Sequence, residues 1–144
     1  GKDGACAGYC YMWGDVQKGV LYFNIGDSYS DLIYYNPSDR SIRLKKGHIY
    51  NLNFSGSLAI GAAAANKEFG AALKDNYDDN RCVNATSVKI KTEQYYSKAQ
   101  MPIAYNRFYN AQNEDIVLKL SLNDIGENTY FYSFNYSVTI TALN

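Results

Sequence analysis

The sequence predicts an all-β domain: a sandwich or barrel of about eight to ten short antiparallel strands. The first observation is that apolar and polar residues alternate with a period of two in several runs, as in half-buried strands. The second is that turn-forming residues separate these runs at fairly even spacing. The third is composition, since the 144 residues include 15 Tyr, a residue that favours strands, and only 2 Pro. This length suits a single domain over residues 1–144.

Three runs carry the clearest alternation. In residues 50–60, 116–122 and 130–140, Leu, Ile, Val, Phe and Tyr alternate mainly with Asn, Ser, Thr and Lys. Each run therefore predicts a strand with one face towards a core. Weaker candidate strands lie, in chain order, at residues 20–25, 31–35, 41–44, 69–74, 87–92 and 101–109.

Turn signals lie between the candidate strands. Residues 36–39 read Asn-Pro-Ser-Asp, and residues 45–47 end in a glycine. Two further polar segments, 75–80 and 123–128, separate later strands. Alanines at 62–65 could begin a helix, but Gly61 and Gly70 interrupt the stretch, so we expect a loop or one helical turn at 62–67.

Charge and hydrophobicity exclude two classes of function. The chain carries 14 basic and 14 acidic side chains, whereas nucleic-acid binding needs clustered positive charge. No run approaches the roughly 20 apolar residues that span a bilayer. We therefore expect neither nucleic-acid binding nor direct insertion into a membrane.

Three segments together resemble the C1q/TNF-like jelly-roll family. They are residues 44–54, with a glycine before an alternating strand that contains Tyr; residues 71–76, a short strand entering a polar turn; and residues 115–120, followed by the long strand 130–143. The ordering is similar over residues 40–144. The final segment, 137–144, most resembles the C-terminal heads of bacterial collagen-like surface glycoproteins, the BclA-type exosporium proteins.

The resemblance implies a jelly-roll β-sandwich that assembles as a homotrimer. It also implies a non-enzymatic head that trimerises a collagen-like stalk and mediates contact or adhesion outside the cell, on a cell, spore or virion surface. Residues 1–15 would then be the end of the stalk or an irregular N-terminal segment, and Gly1 and Gly4 have the spacing of a collagen triplet. The aromatic strands supply the predicted trimer interface, since Tyr and Phe are enriched in interfaces: Tyr50, Phe54, Tyr132, Phe134, Tyr136 and Val138.

The alternative function is a receptor-binding or glycan-binding head of a phage tail fibre or a pilus-type adhesin. The expected partner would be a glycan or protein of a host surface. Exposed aromatic rings stack on sugars, and the candidate ligand-binding residues are Trp13, Tyr35 and Tyr96. A pilin-like version would also need a strand supplied by a partner.

Catalytic and metal chemistry have weaker support. Ser28 follows Gly-Asp, as in one class of esterase, but the sole histidine, His48, has no acidic residue three positions before it. We therefore predict no enzyme activity and no organic cofactor. Calcium is the one candidate ion, since acidic loops supply the oxygens it needs, although a solvated acidic turn is the simpler interpretation: Asp75, Asp78 and Asp79.

The three cysteines cannot all pair within one chain. Cys6 and Cys10 are four residues apart, and Cys82 lies far along the chain. A disulfide between two of them, buried thiols and a bridge between chains all remain open. With one histidine in the chain, the ligands for a structural zinc site are missing.

Overall fold

The computed structural model describes residues 6–15, 18–62, 67–77, 85–92, 98–125 and 129–143. Every regular element in these ranges is a strand, and none of the described residues forms a helix that could cross a membrane. The strands are β1 (Cys6–Asp15), β2 (Gly19–Val20), β3 (Asn24–Ser28), β4 (Ile33–Asn36), β5 (Ser41–Leu44), β6 (His48–Ala62), β7 (Lys67–Lys74), β8 (Ala85–Thr92), β9 (Lys98–Ala111), β10 (Ile116–Leu118), β11 (Ser121–Ile125) and β12 (Thr129–Leu143).

The strands form a jelly roll. One layer is a five-stranded antiparallel sheet in the order β3-β1-β12-β6-β9. The second layer consists of β4-β5-β10 and of β2-β11-β7-β8, and β10 and β11 are consecutive parts of one path along the chain. Strands from the two ends of the chain thus pair in nested order: β1 with β12, β2 with β11, β5 with β10, β6 with β9 and β7 with β8. This nesting is the connectivity of a jelly roll. The predicted fold class is confirmed.

The three strongest sequence patterns correspond to strands. The run at 50–60 lies in β6, the run at 130–140 lies in β12, and the run at 116–122 is divided into β10 and β11. The weaker candidate at 20–25 is divided between β2 and β3, and the other five fall on β4, β5, β7, β8 and β9. Residues 63–66 of the expected loop or helical turn lie outside the described residues.

The first strand is the main difference from the sequence prediction. We expected residues 1–15 to be the end of a stalk or an irregular segment, but Cys6–Asp15 is a regular strand between β3 and β12. Its inward positions hold two glycines, which let neighbouring chain segments approach closely. A Cβ atom at Gly14 would lie 2.3 Å from the backbone oxygen of Tyr22. Residues 1–5 lie outside the described part of the chain.

The core lies between the two layers and is rich in aromatic rings. Tyr136 on β12 lies at its centre: its ring centroid is 5.7 Å from that of Phe54, 5.0 Å from that of Phe134 and 5.3 Å from that of Phe23. The Tyr136 hydroxyl donates a hydrogen bond to the backbone oxygen of Tyr22. The one polar atom of this buried ring therefore has a partner, as buried polar groups require.

Candidate functional site on the five-stranded sheet

The outward face of the five-stranded sheet is a regular grid of side chains. The pairing register sets rows across β9, β6, β12 and β1, because residues directly opposite one another share a face. The four rows are Phe108-Asn51-Thr141-Tyr9, Asn106-Asn53-Thr139-Tyr11, Ala104-Ser55-Ser137-Trp13 and Pro102-Ser57-Asn135-Asp15. The face thus has a polar centre of small side chains between an aromatic column on β1 and a mixed column on β9.

The aromatic column lies beside the edge strand β3. Trp13 is 48% exposed and Tyr11 is 38% exposed, and their partners on β3 are Asn24 and Asp27. Gly26 makes room for this arrangement, since a Cβ atom there would lie 2.7 Å from the Tyr11 ring. These large apolar groups are therefore accessible on a single chain, at one side of the face.

The centre of the face is shallow and polar. A depression of about 360 Å³ lies between β6 and β12 and is lined by Ser55, Ser57 and Ser137 among others. Near β9, the Asn106 amide donates hydrogen bonds to the side-chain oxygens of Asn51 and Asn53. These contacts fix the amides in a row across two strands, so the centre is an ordered polar surface.

Exposed aromatic side chains also lie at two other places on this sheet. Phe108 on β9 is 58% exposed and lies opposite Asn51. At the start of β12, Tyr130 and Tyr132 are also exposed, whereas Phe131 packs against the core. A register shift between Phe131 and Ser133 accompanies this arrangement. The two sides of the face therefore carry different aromatic groups.

The structure corrects most of the predicted trimer interface. Five of the six predicted side chains are buried within a single chain, each at most 5% exposed, because they fill the space between the two layers: Tyr50, Phe54, Phe134, Tyr136 and Val138. They have no surface left for a second copy to cover. Tyr132 alone among the six is exposed. Tyr11, Trp13 and Phe108 are also accessible, and none of them was among the predicted interface residues.

The predicted ligand-binding residues are in different environments. Trp13 is exposed in the aromatic column. Tyr35 is only 5% exposed, and its hydroxyl accepts a hydrogen bond from the Phe23 backbone N–H, so this ring is part of the core and cannot stack on a ligand. Tyr96 lies outside the described residues.

Asp75 is inside the protein, contrary both to the solvated acidic turn expected there and to the alternative of a calcium site. Its side chain is fully buried, and Oδ2 accepts hydrogen bonds from the Tyr105 and Tyr109 hydroxyls at 2.7 and 2.6 Å. Arg107 Nη1 lies 2.8 Å from the same oxygen and neutralises it. The described residues contain no cluster of potential metal ligands. Asp78 and Asp79 lie outside the described ranges.

The Asp75 cluster joins the two layers of the sandwich. Asp75 follows β7 in one layer, whereas the tyrosines and the arginine lie on β9 in the other. The Arg107 guanidinium also lies over the Tyr109 ring at 4.9 Å and the Tyr77 ring at 5.3 Å. Burial raises the pKa of Tyr105 to about 12 and also raises the pKa of Tyr109. Both hydroxyls therefore stay protonated and donate to the carboxylate at neutral pH.

Cys6 and Cys10 do not form a disulfide with each other, which was one of the alternatives that the sequence left open. Both are free thiols on β1, with Cys6 exposed and Cys10 buried. Four residues of extended strand separate their Cα atoms by roughly 13 Å, whereas a disulfide needs a separation below about 7 Å. Burial raises the pKa of the Cys10 thiol, which makes it less reactive. Cys82 lies outside the described residues.

Ser28 and His48 do not form a nucleophile and base pair. Ser28 is on β3, where its hydroxyl donates to the backbone oxygen of Ser30, and His48 is on β6, where Nδ1 is 3.0 Å from the backbone oxygen of Leu143. Two strands lie between β3 and β6, a separation of about 14 Å. The imidazole therefore cannot take a proton from this serine.

No family model matches this chain, and no curated protein matches it. Among solved structures, the PRD1 vertex protein P5 has a TM-score of 0.49 and 12% identity, over 98% of this chain and 100% of that chain. The globular domain of the zebrafish complement 1qA protein has a TM-score of 0.45 and 10% identity, over 93% of this chain and 95% of that chain. The identification of the jelly roll rests on the strand order of this chain.

Proposed function

We propose that this domain is a non-enzymatic head that assembles as a homotrimer through the outward face of its five-stranded sheet. The observation that carries the proposal is the distribution of exposed apolar side chains on that face. Tyr11 and Trp13 lie towards the β3 edge, and Phe108 lies on the opposite edge strand. Accessible apolar groups gathered on one face are typical of an interaction surface.

The two sides of the face are chemically different, which favours a closed ring over a two-fold dimer. One side carries the Tyr11 and Trp13 column, and the other carries Phe108 next to the asparagines. A head-to-tail contact places one side of one copy against the other side of the next copy, and such contacts form a ring when the rotation between copies closes. Three copies are what the family resemblance implies.

The biological role follows the same proposal. The head would end a collagen-like stalk of a bacterial surface or spore-surface glycoprotein, set the register of its three chains, and present loops outside the cell. The Gly1 and Gly4 spacing and the resemblance of residues 137–144 to BclA-type heads support this role. A phage tail fibre or a pilus-type adhesin would use the same domain architecture with a different attachment.

Light scattering or native mass spectrometry of the purified chain tests the assembly. We expect three times the 16.2 kDa mass of one chain at micromolar concentration. Trp13→Glu and Phe108→Glu should each give a folded monomer, because the new charge would be buried in the interface without a partner. Tyr34→Glu is the matched control, since Tyr34 is 56% exposed on β4 in the other layer, and it should remain a trimer.

Mixing the two monomeric variants tests the head-to-tail arrangement. The Trp13→Glu chain keeps an intact Phe108 side, and the Phe108→Glu chain keeps an intact Trp13 side. One contact can then form between the two chains, so we expect a one-to-one heterodimer and no trimer. A wild-type chain that stays monomeric at micromolar concentration would refute the proposed assembly. A charge at Phe134 would not test the assembly, because that ring is in the core and a charge there would unfold the chain.

A further inference from the structure

A cleft lies where the start of β1 meets the segment after β3. Its volume is about 530 Å³, and it is lined by Ala7, Tyr29, Ser30, Asp31 and Leu32. This volume is within the usual range of small-ligand sites, about 300 to 1,000 Å³. The cleft adjoins the end of the aromatic column on β1, and its lining residues include neither Tyr11 nor Trp13.

The Tyr29 ring is both exposed and held in place. It is 68% exposed, yet it stacks on the Tyr9 ring with centroids 6.1 Å apart and an interplanar angle of 24°. The Tyr29 backbone N–H donates to the Tyr9 backbone oxygen at 2.9 Å. The Tyr9 hydroxyl in turn donates to Asp27 at 3.0 Å, and this hydrogen bond raises the pKa of Tyr9. A ring positioned in this way loses little conformational freedom when a ligand stacks on it.

The rest of the cleft is also fixed by local contacts. The Ser30 hydroxyl accepts a hydrogen bond from the Leu32 backbone N–H at 2.9 Å. Gly8 on β1 allows the segment to lie close, since a Cβ atom there would be 2.1 Å from the Ser30 Cβ. The rim residue Asp31 is exposed, and among the described residues its carboxylate has no ion pair. The cleft therefore combines an aromatic platform with a carboxylate that can accept hydrogen bonds.

We propose that this cleft binds a neutral hexopyranose unit of a glycan. The C–H face of the sugar would stack on Tyr29, and the Asp31 carboxylate would accept hydrogen bonds from adjacent hydroxyl groups. The lining residues include one carboxylate and no cation, which disfavours anionic sugars. This inference rests on the proposed function, because a surface head would present this segment outwards, and it names the class of ligand.

Sugar titrations followed by NMR test the proposal on the full chain. The probes are methyl β-galactoside, methyl β-glucoside and N-acetylglucosamine, with sialyllactose as the anionic comparison. We expect saturable binding of at least one neutral sugar and weaker binding of sialyllactose. Tyr29→Ala should weaken binding roughly two- to tenfold, because a stacking contact with an aromatic ring is worth a factor in that range. Asp31→Asn should weaken neutral-sugar binding and reduce the discrimination against sialyllactose.

Tyr34→Ala is the matched control, since Tyr34 is an exposed tyrosine on β4 and is not among the residues that line the cleft. It should bind sugar as the wild type does. The proposal is overturned if none of the three neutral sugars binds saturably, or if Tyr29→Ala binds them as the wild type does. Light scattering on the same samples separates this outcome from the proposed function. A trimer that binds no sugar contradicts only the cleft, and a monomer that binds sugar contradicts only the assembly.

Discussion

Replacing Arg107 with methionine tests whether the Asp75 cluster holds the two layers together. Arg107→Met keeps most of the aliphatic stem but removes the only cation within hydrogen-bonding distance of Asp75 among the described residues. Asp75 would keep its two tyrosine donors but would be left as a buried charge without a counterion. Breaking a buried ion pair in this way costs about 3 to 5 kcal/mol.

That cost is a large part of the stability of a domain of this size, which is on the order of 10 kcal/mol. The midpoint of thermal unfolding should therefore fall by roughly 10 °C. Circular dichroism and urea unfolding both measure the change. The matched control is Arg43→Met, because the Arg43 side chain pairs with Asp115 at 3.1 Å, and both side chains are substantially exposed, 48% and 38%. An exposed pair contributes at most about 1 kcal/mol.

The comparison between the two variants decides the question. If Arg107→Met is no more destabilising than Arg43→Met, Asp75 is not a buried charge that depends on Arg107. The conclusion that the Arg107–Asp75 ion pair holds the two layers together would then be wrong.

Three further outcomes are expected. Trp13 is the only tryptophan, so dilution that dissociates the trimer should shift the fluorescence emission of Trp13 to longer wavelength and increase its quenching by acrylamide. Emission that does not change while the measured mass of the assembly falls would contradict the place of Trp13 in the interface. Gly56→Ala should cost about 1 to 3 kcal/mol in urea unfolding, because its Cβ would lie 2.5 Å from the Phe134 ring; an unchanged midpoint would contradict this packing. Burial raises the pKa of Tyr50 and Tyr105 from 10.0 to about 12, so their contribution to the free energy of unfolding is complete below pH 10 and is lost as the pH rises through 12. Circular dichroism and tyrosinate absorbance should therefore change together between pH 10 and 12. Ionisation of all the tyrosines without unfolding would contradict this expectation.

The fold was predictable wherever one face of a strand is apolar and the other is polar. In β6 and β12, large side chains alternate with Asn, Ser and Thr, so the period-two pattern is visible in the sequence alone. The first strand gives no such pattern. Its inward positions include Gly8 and Gly14, and its outward positions include Tyr11 and Trp13. Because glycines face the core and aromatic rings face outwards, the usual contrast between the faces is lost.

The candidate site was less predictable, since alternation defines two faces without saying which one meets another layer. The interface was assigned to the rings of β6 and β12, such as Phe54 and Phe134, but those rings contact one another inside a single chain. The sequence did contain a usable signal. Positions between the rings are Ser, Asn or Thr over most of both strands, and small polar residues seldom fill a core. The rings therefore had to face inwards.

This reassignment changes what kind of trimer the chain can form. If the rings of Phe134 and Tyr136 were shared between copies, each chain would lack a core of its own and would fold only upon assembly. Here they are enclosed within one chain, so each subunit has a complete core before it meets a partner. Assembly would then join folded subunits through Trp13 and Phe108 at the sides of a polar face. Dissociation and unfolding become separate events, which is why charged variants at those two positions should yield folded monomers.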